Sequence, residues 1–162
     1  MIFVTVGTDT HQLNRLLKEL DRLKGNKILK DEVIAQIGNC TYKPRNYKNF
    51  NFTTLKHFNE LNKKANIIIS HGGAGSLIQA FQYHKTLIVV PRTKKYDEHT
   101  DDHQIQIAKE LERQGKIIAV YNIKNLMDAI RKSKNFKIIT SRKSNKISQI
   151  IIEYISDLEA ND

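Results

Sequence analysis

The stretch from Asn66 to Phe81, NIIISHGGAGSLIQAF, sets a run of isoleucines, a histidine, three glycines in four positions and a serine within sixteen residues. The isoleucine run reads as a strand that is apolar on both faces, as strands of a parallel sheet are. The following SLIQAFQYH reads as a helix with little polar surface, wedged between sheet and neighbours. Between them, HGGAGS opens the helix, so free N–H groups and the positive end of the helix dipole point into whatever crevice lies ahead. Glycines let an anion come close to backbone, and Ser76 adds a hydroxyl. One glycine suffices for a turn, so three favour a pyrophosphate cradle over a tight turn without ligand. The loop is neither a Walker A sequence nor a GxGxxG fingerprint, because Gly75 is followed by Ser76, Leu77 and Ile78. Two roles are open to His71: donation to a phosphate, or capping of the strand end.

Outward from this unit the same alternation repeats. IFVTV at 2–6 reads as a buried strand, GTDT as a turn with a cap at Asp9 and Gln12 three residues on, and Leu13, Leu16, Leu17, Leu20 and Leu23 as a helical stripe. EVIAQIG at 32–38 is the second strand, KNFNFT a weaker third, and Leu55, Phe58 and Leu61 mark a helix. TLIVVP at 86–91 is a strand ended by Pro91, which cannot donate to a ladder. A loop of about ten polar residues follows, long enough to be functional. Ile105, Ala108 and Leu111 carry a helix to Gly115, KIIAV is the sixth strand and NIKNLMDAI a further helix. Ile147, Ile150, Ile151, Tyr154, Ile155 and Leu158 predict an amphipathic C-terminal helix at about 144–159. The expectation is one α/β domain over residues 1–162, a doubly wound, Rossmann-like parallel sheet of about six strands.

Composition limits the function classes. At 162 residues and 40% hydrophobic, the chain can bury a core of its own. The single Cys40 excludes an internal disulfide and a four-cysteine zinc site, and fits a reducing compartment, so a cytosolic location is expected. No apolar run approaches the roughly 18 residues of a membrane span, and the N-terminus enters a strand without a charged leader, so neither secretion nor self-anchoring is expected. The net charge of +10 is concentrated in part between Arg131 and Lys146, which holds seven basic residues and no acid. Such a run is either a solvated face or a contact for an anionic lipid surface. Nucleic acid is not expected as a partner, because no aromatics are interleaved for base stacking.

In a sheet of this kind ligands sit outside the carboxyl ends of the strands, where GTDT, HGGAGS and the loop after Pro91 converge. Within the last, DEHTDDH at 97–103 spaces His99 and His103 at i, i+4 among four carboxylates. It lacks the tight HExxH pattern, and carboxylates at a helix start are already accounted for by the dipole, so no metal site is expected. Asp102 and Gln104 are better read as presenting an oxygen and an amide to sugar hydroxyls. Cys40 and His84 receive no functional role.

With these residues assembled, MIFVTVGT, SHGGAGS and VPRTKKYDEHTDDHQIQIAKEL resemble the C-terminal-domain family of glycosyltransferase family 28. The nearest resemblance is to bacterial PssE/EpsF-type subunits of capsule and exopolysaccharide synthesis. A more distant one is to the donor-binding subunit of the eukaryotic two-part dolichol-linked GlcNAc transferase. The resemblance implies the C-terminal half of a two-domain GT-B glycosyltransferase, the half that binds a nucleotide sugar. It implies that Gly7 and Thr8 form a first donor-side loop, that His71, Gly72, Gly73, Gly75 and Ser76 form the diphosphate cradle, and that Glu98, His99, Asp102, His103 and Gln104 form a sugar-side loop. Gln79 stands where relatives often carry an acid for the ribose, and Ile37 interrupts a small polar loop they often show after the second strand. The acceptor half is absent from these residues. The resemblance therefore implies a membrane-associated partner subunit that brings a lipid-linked acceptor and the general base, with His99 and Asp102 the weaker candidates for that base within this chain. It places the chain peripherally at the inner face of the cell membrane through that partner. The expected substrate is a UDP-sugar, with inversion at the anomeric centre. No metal or other cofactor is required if the helix dipole, Ser76 and Arg92 carry the departing charge. The competing expectation is a non-catalytic enhancer that stabilises a partner transferase and binds no donor.

Overall fold

A computed structural model of the chain describes residues 1–137. Six strands, β1 (Ile2–Thr5), β2 (Val33–Gln36), β3 (Lys48–Phe50), β4 (Ile67–Ser70), β5 (Thr86–Val89) and β6 (Ile118–Ala119), alternate with helices α1 (Asn14–Gly25), α2 (Leu55–Lys64), α3 (Ala74–Gln82), α4 (His103–Arg113) and α5 (Leu126–Ser133). All strand pairs are parallel, in the order β3-β2-β1-β4-β5-β6. The expected six-stranded, doubly wound α/β sheet is therefore present.

The strands read apolar throughout because both faces are covered. Alternation along each strand divides the core in two. Ile2 and Val4 of β1, with Ile67, Ile69 and Ile88, pack under the leucines of α1 and under Leu126 and Ile130 of α5. Phe3, Ile68, Leu87 and Val89 point the other way, to Leu61 of α2, Leu77, Ala80 and Phe81 of α3, and Ile107 and Leu111 of α4. The edges are short: β3 has three residues and β6 two, which limits the unpaired backbone offered to other chains.

Local boundaries differ from the sequence reading in instructive ways. Helix α1 begins at Asn14 with Leu13 as its N-cap and no side-chain cap. Asp9 does not cap it, because its carboxylate is taken by the backbone N–H of His11 at 2.9 Å and the ring Nδ1 of His11 at 2.6 Å. Gln12 instead spans two loops, donating to the Asn39 carbonyl at 3.1 Å and accepting from the Thr41 N–H at 2.8 Å. NIKNLMDAI starts as a single 3-10 turn at Ile123–Asn125 before α5. The predicted C-terminal helix at about 144–159 lies outside the described residues. The basic run is described only as far as Lys137, and there Arg131 pairs with Asp128 at 2.9 Å and Lys134 with Asp31 at 3.3 Å. Among the described residues no helix is long and apolar enough to cross a membrane.

The sheet order fixes where a ligand can sit. The chain moves outward from β1 through β2 to β3, then returns to lay β4 on the other side of β1. Loops that follow β1 and β4 therefore diverge, and the crevice between them is the switch point at which such sheets bind ligands.

Candidate functional site at the β1–β4 switch point

Strand β4 delivers Ser70 and His71 into the glycine loop. Gly72 has φ +93°, a left-handed conformation that side chains disfavour, and a Cβ there would lie 3.0 Å from Cγ1 of Val89. Gly73 is the N-cap of α3, and no side chain caps the helix. Its first-turn N–H groups are thus left for an external acceptor, with the dipole adding positive potential.

His71 is buried against two glycine backbones. A Cβ on Gly7 would stand 2.7 Å from its Cε1, and one on Gly73 would collide with its Nε2. The imidazole thus wedges the β1 loop against the β4 loop, and the absence of side chains at Gly7 and Gly73 is what makes room for it. Burial, with the nearby Arg92 charge, holds its pKa down to about 4, so the ring is neutral near pH 7. Its Nδ1 is buried without a hydrogen-bond partner among the described residues.

Gly75 behaves differently. A Cβ there would meet nothing within 4 Å, so packing does not require glycine, and its presence inside a helix costs about 1 kcal/mol relative to alanine. What it keeps open is a cavity of about 360 Å³ lined by Gly7, Thr8, Gly75, Ser76 and Gln79 together with Thr5, Gln36, Thr53, Leu55 and Phe58. Five of the expected donor-binding residues meet there. Of the remaining lining residues, Thr5 and Gln36 left a signal in the sequence, as polar side chains in otherwise apolar strands. Ile37 beside it points into the core and is fully buried.

Two expected contacts are reassigned. Arg92 is 1% exposed, and its Nη2 donates to the carbonyls of Val6 at 2.7 Å and His11 at 2.9 Å. It ties the β1 loop down from beneath and does not present its guanidinium to the crevice. Glu98 is buried and bound to Arg15 Nε at 2.8 and 3.0 Å, while also accepting the Thr93 N–H at 3.3 Å. It braces the β5 loop against α1 and is not turned to a sugar. Gln104 is buried in the first turn of α4, where its side-chain oxygen accepts the Arg92 N–H at 3.1 Å. Asp102 is exposed and accepts the Lys94 N–H at 3.0 Å.

On the rim, Nδ1 of His99 and of His103 lie 3.1 and 3.5 Å from Oδ1 of Asp101. Among the described residues no group of three or more histidine, cysteine, aspartate or glutamate side chains is arranged to hold a metal ion. The His11 ring stacks on that of His99, with centroids 5.2 Å apart. Strand β4 lies between β1 and β5, so this stack bridges two loops across the one that carries His71. The backbone N–H and ring of His11 hold the Asp9 carboxyl well below the usual carboxylate range. Cys40 is buried, with its thiol pKa pushed up by burial and its Sγ accepting the Leu13 N–H at 3.2 Å, as befits a packing residue.

Residues 1–155 match the model of the glycosyltransferase family 28 C-terminal domain. The chain belongs to this family. This family 28 domain is 32% identical over 123 residues to the human UDP-N-acetylglucosamine transferase subunit ALG13, a match that covers 72% of this chain and 10% of the human protein. It thus spans about a tenth of that relative's length. The named relatives of this domain are eukaryotic subunits, so the PssE/EpsF resemblance is supported at the level of the family and not of the subtype. Among solved structures, the calicheamicin glycosyltransferase CalG4 superposes with a TM-score of 0.58 at 14% identity, over 98% of this chain and 38% of CalG4. The UDP-GlcNAc 2-epimerase of Neisseria meningitidis superposes with a TM-score of 0.59 at 15% identity, over 96% and 43%. The fold is that of half a GT-B enzyme. Since an epimerase shares it, the reaction has to be argued from the site.

Proposed function

We propose that this domain is the donor-binding subunit of a heteromeric inverting glycosyltransferase. It takes a UDP-hexose and passes the sugar to a lipid-linked acceptor held by a membrane-associated partner chain, in capsule or exopolysaccharide synthesis. The observation that carries the reading is Gly75: a helix-start glycine with no internal reason to be glycine, beside uncapped N–H groups, opening on a cavity that also holds Ser76 and Gln79. An anionic diphosphate is the group that such a helix end receives best. The human relative's name supports UDP-N-acetylglucosamine as the first donor to test, and its description as a subunit supports a partner. The polysaccharide role rests on the resemblance of the three motifs alone.

In this reading the α3 N-terminus and Ser76 stabilise the nucleoside diphosphate as it departs, and Gln79 donates to the ribose diol without adding charge. Attack opposite the leaving group inverts the anomeric carbon. The Arg92 charge acts at a distance, through the loop it holds, and no metal is needed. The domain works at the inner face of the cell membrane, where the basic run reaches anionic headgroups at about 1 kcal/mol per lysine near the surface.

The test is calorimetry with UDP-, GDP- and dTDP-sugars, with and without magnesium. The expected result is selective binding of a UDP-sugar that does not depend on magnesium. If no sugar nucleotide binds while the chain still forms a tight complex with a partner transferase, the domain is a non-catalytic enhancer and the donor reading fails.

A further inference from the structure

We propose that Asp9 and His11 form a general base that this chain itself contributes, with His11 accepting the proton of the attacking hydroxyl. The inference rests on the donor-binding reading above, and it moves the base from the partner to this chain. Three observations carry it. The Asp9 carboxylate contacts His11 Nδ1 at 2.6 Å while also accepting the His11 backbone N–H at 2.9 Å. Such a carboxylate fixes the tautomer with hydrogen on Nδ1 and leaves Nε2 as the proton acceptor. The ring is held in place, its carbonyl by Arg92 and its face by the His99 ring, yet the side chain stays 33% exposed. The His11–His99 stack joins the β1 loop, whose Gly7 and Thr8 line the cavity, to the loop that follows β5.

His99 and Asp102 are poorer bases. His99 Nδ1 receives the Asp101 N–H at 3.4 Å and faces the Asp101 carboxylate at 3.1 Å, two neighbours that demand opposite tautomers. Asp102 is exposed, and its Oδ1 already accepts the Lys94 N–H at 3.0 Å.

In the step proposed, the acceptor O–H proton moves to His11 Nε2 as the oxygen bonds to the anomeric carbon. The bond from that carbon to the diphosphate oxygen breaks, and the nucleoside diphosphate leaves with the electron pair. The imidazolium then returns its proton to solvent. His11 is the catalytic residue and Asp9 its positioning residue.

Water can stand in for the acceptor, so the isolated chain suffices for the test. With UDP-GlcNAc as probe, slow release of UDP and free sugar is expected. His11→Ala should lower that rate about 100-fold or more, with donor affinity by calorimetry within about twofold of the wild type. His11→Gln, which keeps the bulk of the side chain, should do the same, and thermal melting verifies that both variants are folded. Asp9→Asn should lower kcat about tenfold or more with little change in KM, and Asp9→Glu should recover part of the loss. Wild-type protein that binds UDP-GlcNAc without hydrolysing it overturns the base and spares the donor reading. So does hydrolysis at an unchanged rate in both His11 variants, or loss of donor binding in both. Failure of the wild type to bind UDP-GlcNAc or any other sugar nucleotide overturns the donor reading, and the base with it.

Discussion

Nε2 of His71 occupies the place that a side chain on Gly73 would take. The glycine at the helix N-cap and the buried imidazole two residues earlier are therefore one packing unit, and each constrains substitution of the other. Gly73→Ala should displace the ring and open the wedge between the β1 and β4 loops, at a cost of about 1–3 kcal/mol, the usual range for overpacking. Urea unfolding measures it. A second change, His71→Ala, should relieve much of that penalty, so that a double-mutant cycle shows a coupling of about 1 kcal/mol or more. Additive losses would mean that ring and loop are independent.

The same ring predicts a pH dependence. Its pKa is lowered from 6.5 to about 4 by burial and the Arg92 charge, so the folded state binds the proton more weakly than the unfolded chain does. The stability associated with the neutral ring is then fully present above pH 6.5 and is lost as pH falls from 6.5 towards 4. At about 1.4 kcal/mol per unit, the loss is about 2–3 kcal/mol. Denaturant titrations at pH 7.5 and pH 4.5 should show this difference in the wild type and a markedly smaller one in His71→Asn.

Arg92 is buried and holds two carbonyls of the β1 loop with one nitrogen. Lysine is one bond shorter, so its Nζ falls short of the position that Nη2 occupies between the two carbonyls. Arg92→Lys is expected to leave a carbonyl unpaired and to lower stability by about 2 kcal/mol, with donor affinity falling about tenfold as the loop loosens. If Arg92 contacted the diphosphate directly, a lysine would conserve the charge and most of the affinity with it. Calorimetry on the variant, set beside its melting curve, separates the two roles.

Much of this architecture was legible because burial on both faces leaves a strong mark. Ile67, Ile68 and Ile69 can be nothing but an interior strand once Gly72 and Gly73 follow, and the leucine stripe from Leu13 to Leu23 specifies the covering helix. The cradle was legible for the same reason, since a glycine loop at a helix start has few other physical uses. The roles of Arg92, Glu98 and Asp9 were not. A charged side chain in a loop reads as a ligand contact, and only the three-dimensional placement of Val6, His11 and Arg15 shows that Arg92 and Glu98 face inward and brace loops remote in sequence, while Asp9, read as a helix cap, turns to His11 beside it. Thr53 and Phe58 carry no mark of the cavity, because one stands in an ordinary loop and the other reads as part of the apolar stripe of a helix.

Gly75 separates ligand binding from stability. Its missing Cβ faces open space, so Gly75→Ala meets no steric resistance and should gain helix propensity, raising stability by about 0.5–1 kcal/mol. The added methyl would project beside the first-turn N–H groups where the diphosphate is proposed to lie. Donor affinity should therefore fall about tenfold or more while the melting temperature rises by a few degrees. A larger side chain in Gly75→Val should abolish binding, with stability near that of the wild type. A gain in stability with donor affinity unchanged would show that Gly75 serves no ligand, and would remove the main support for the cradle.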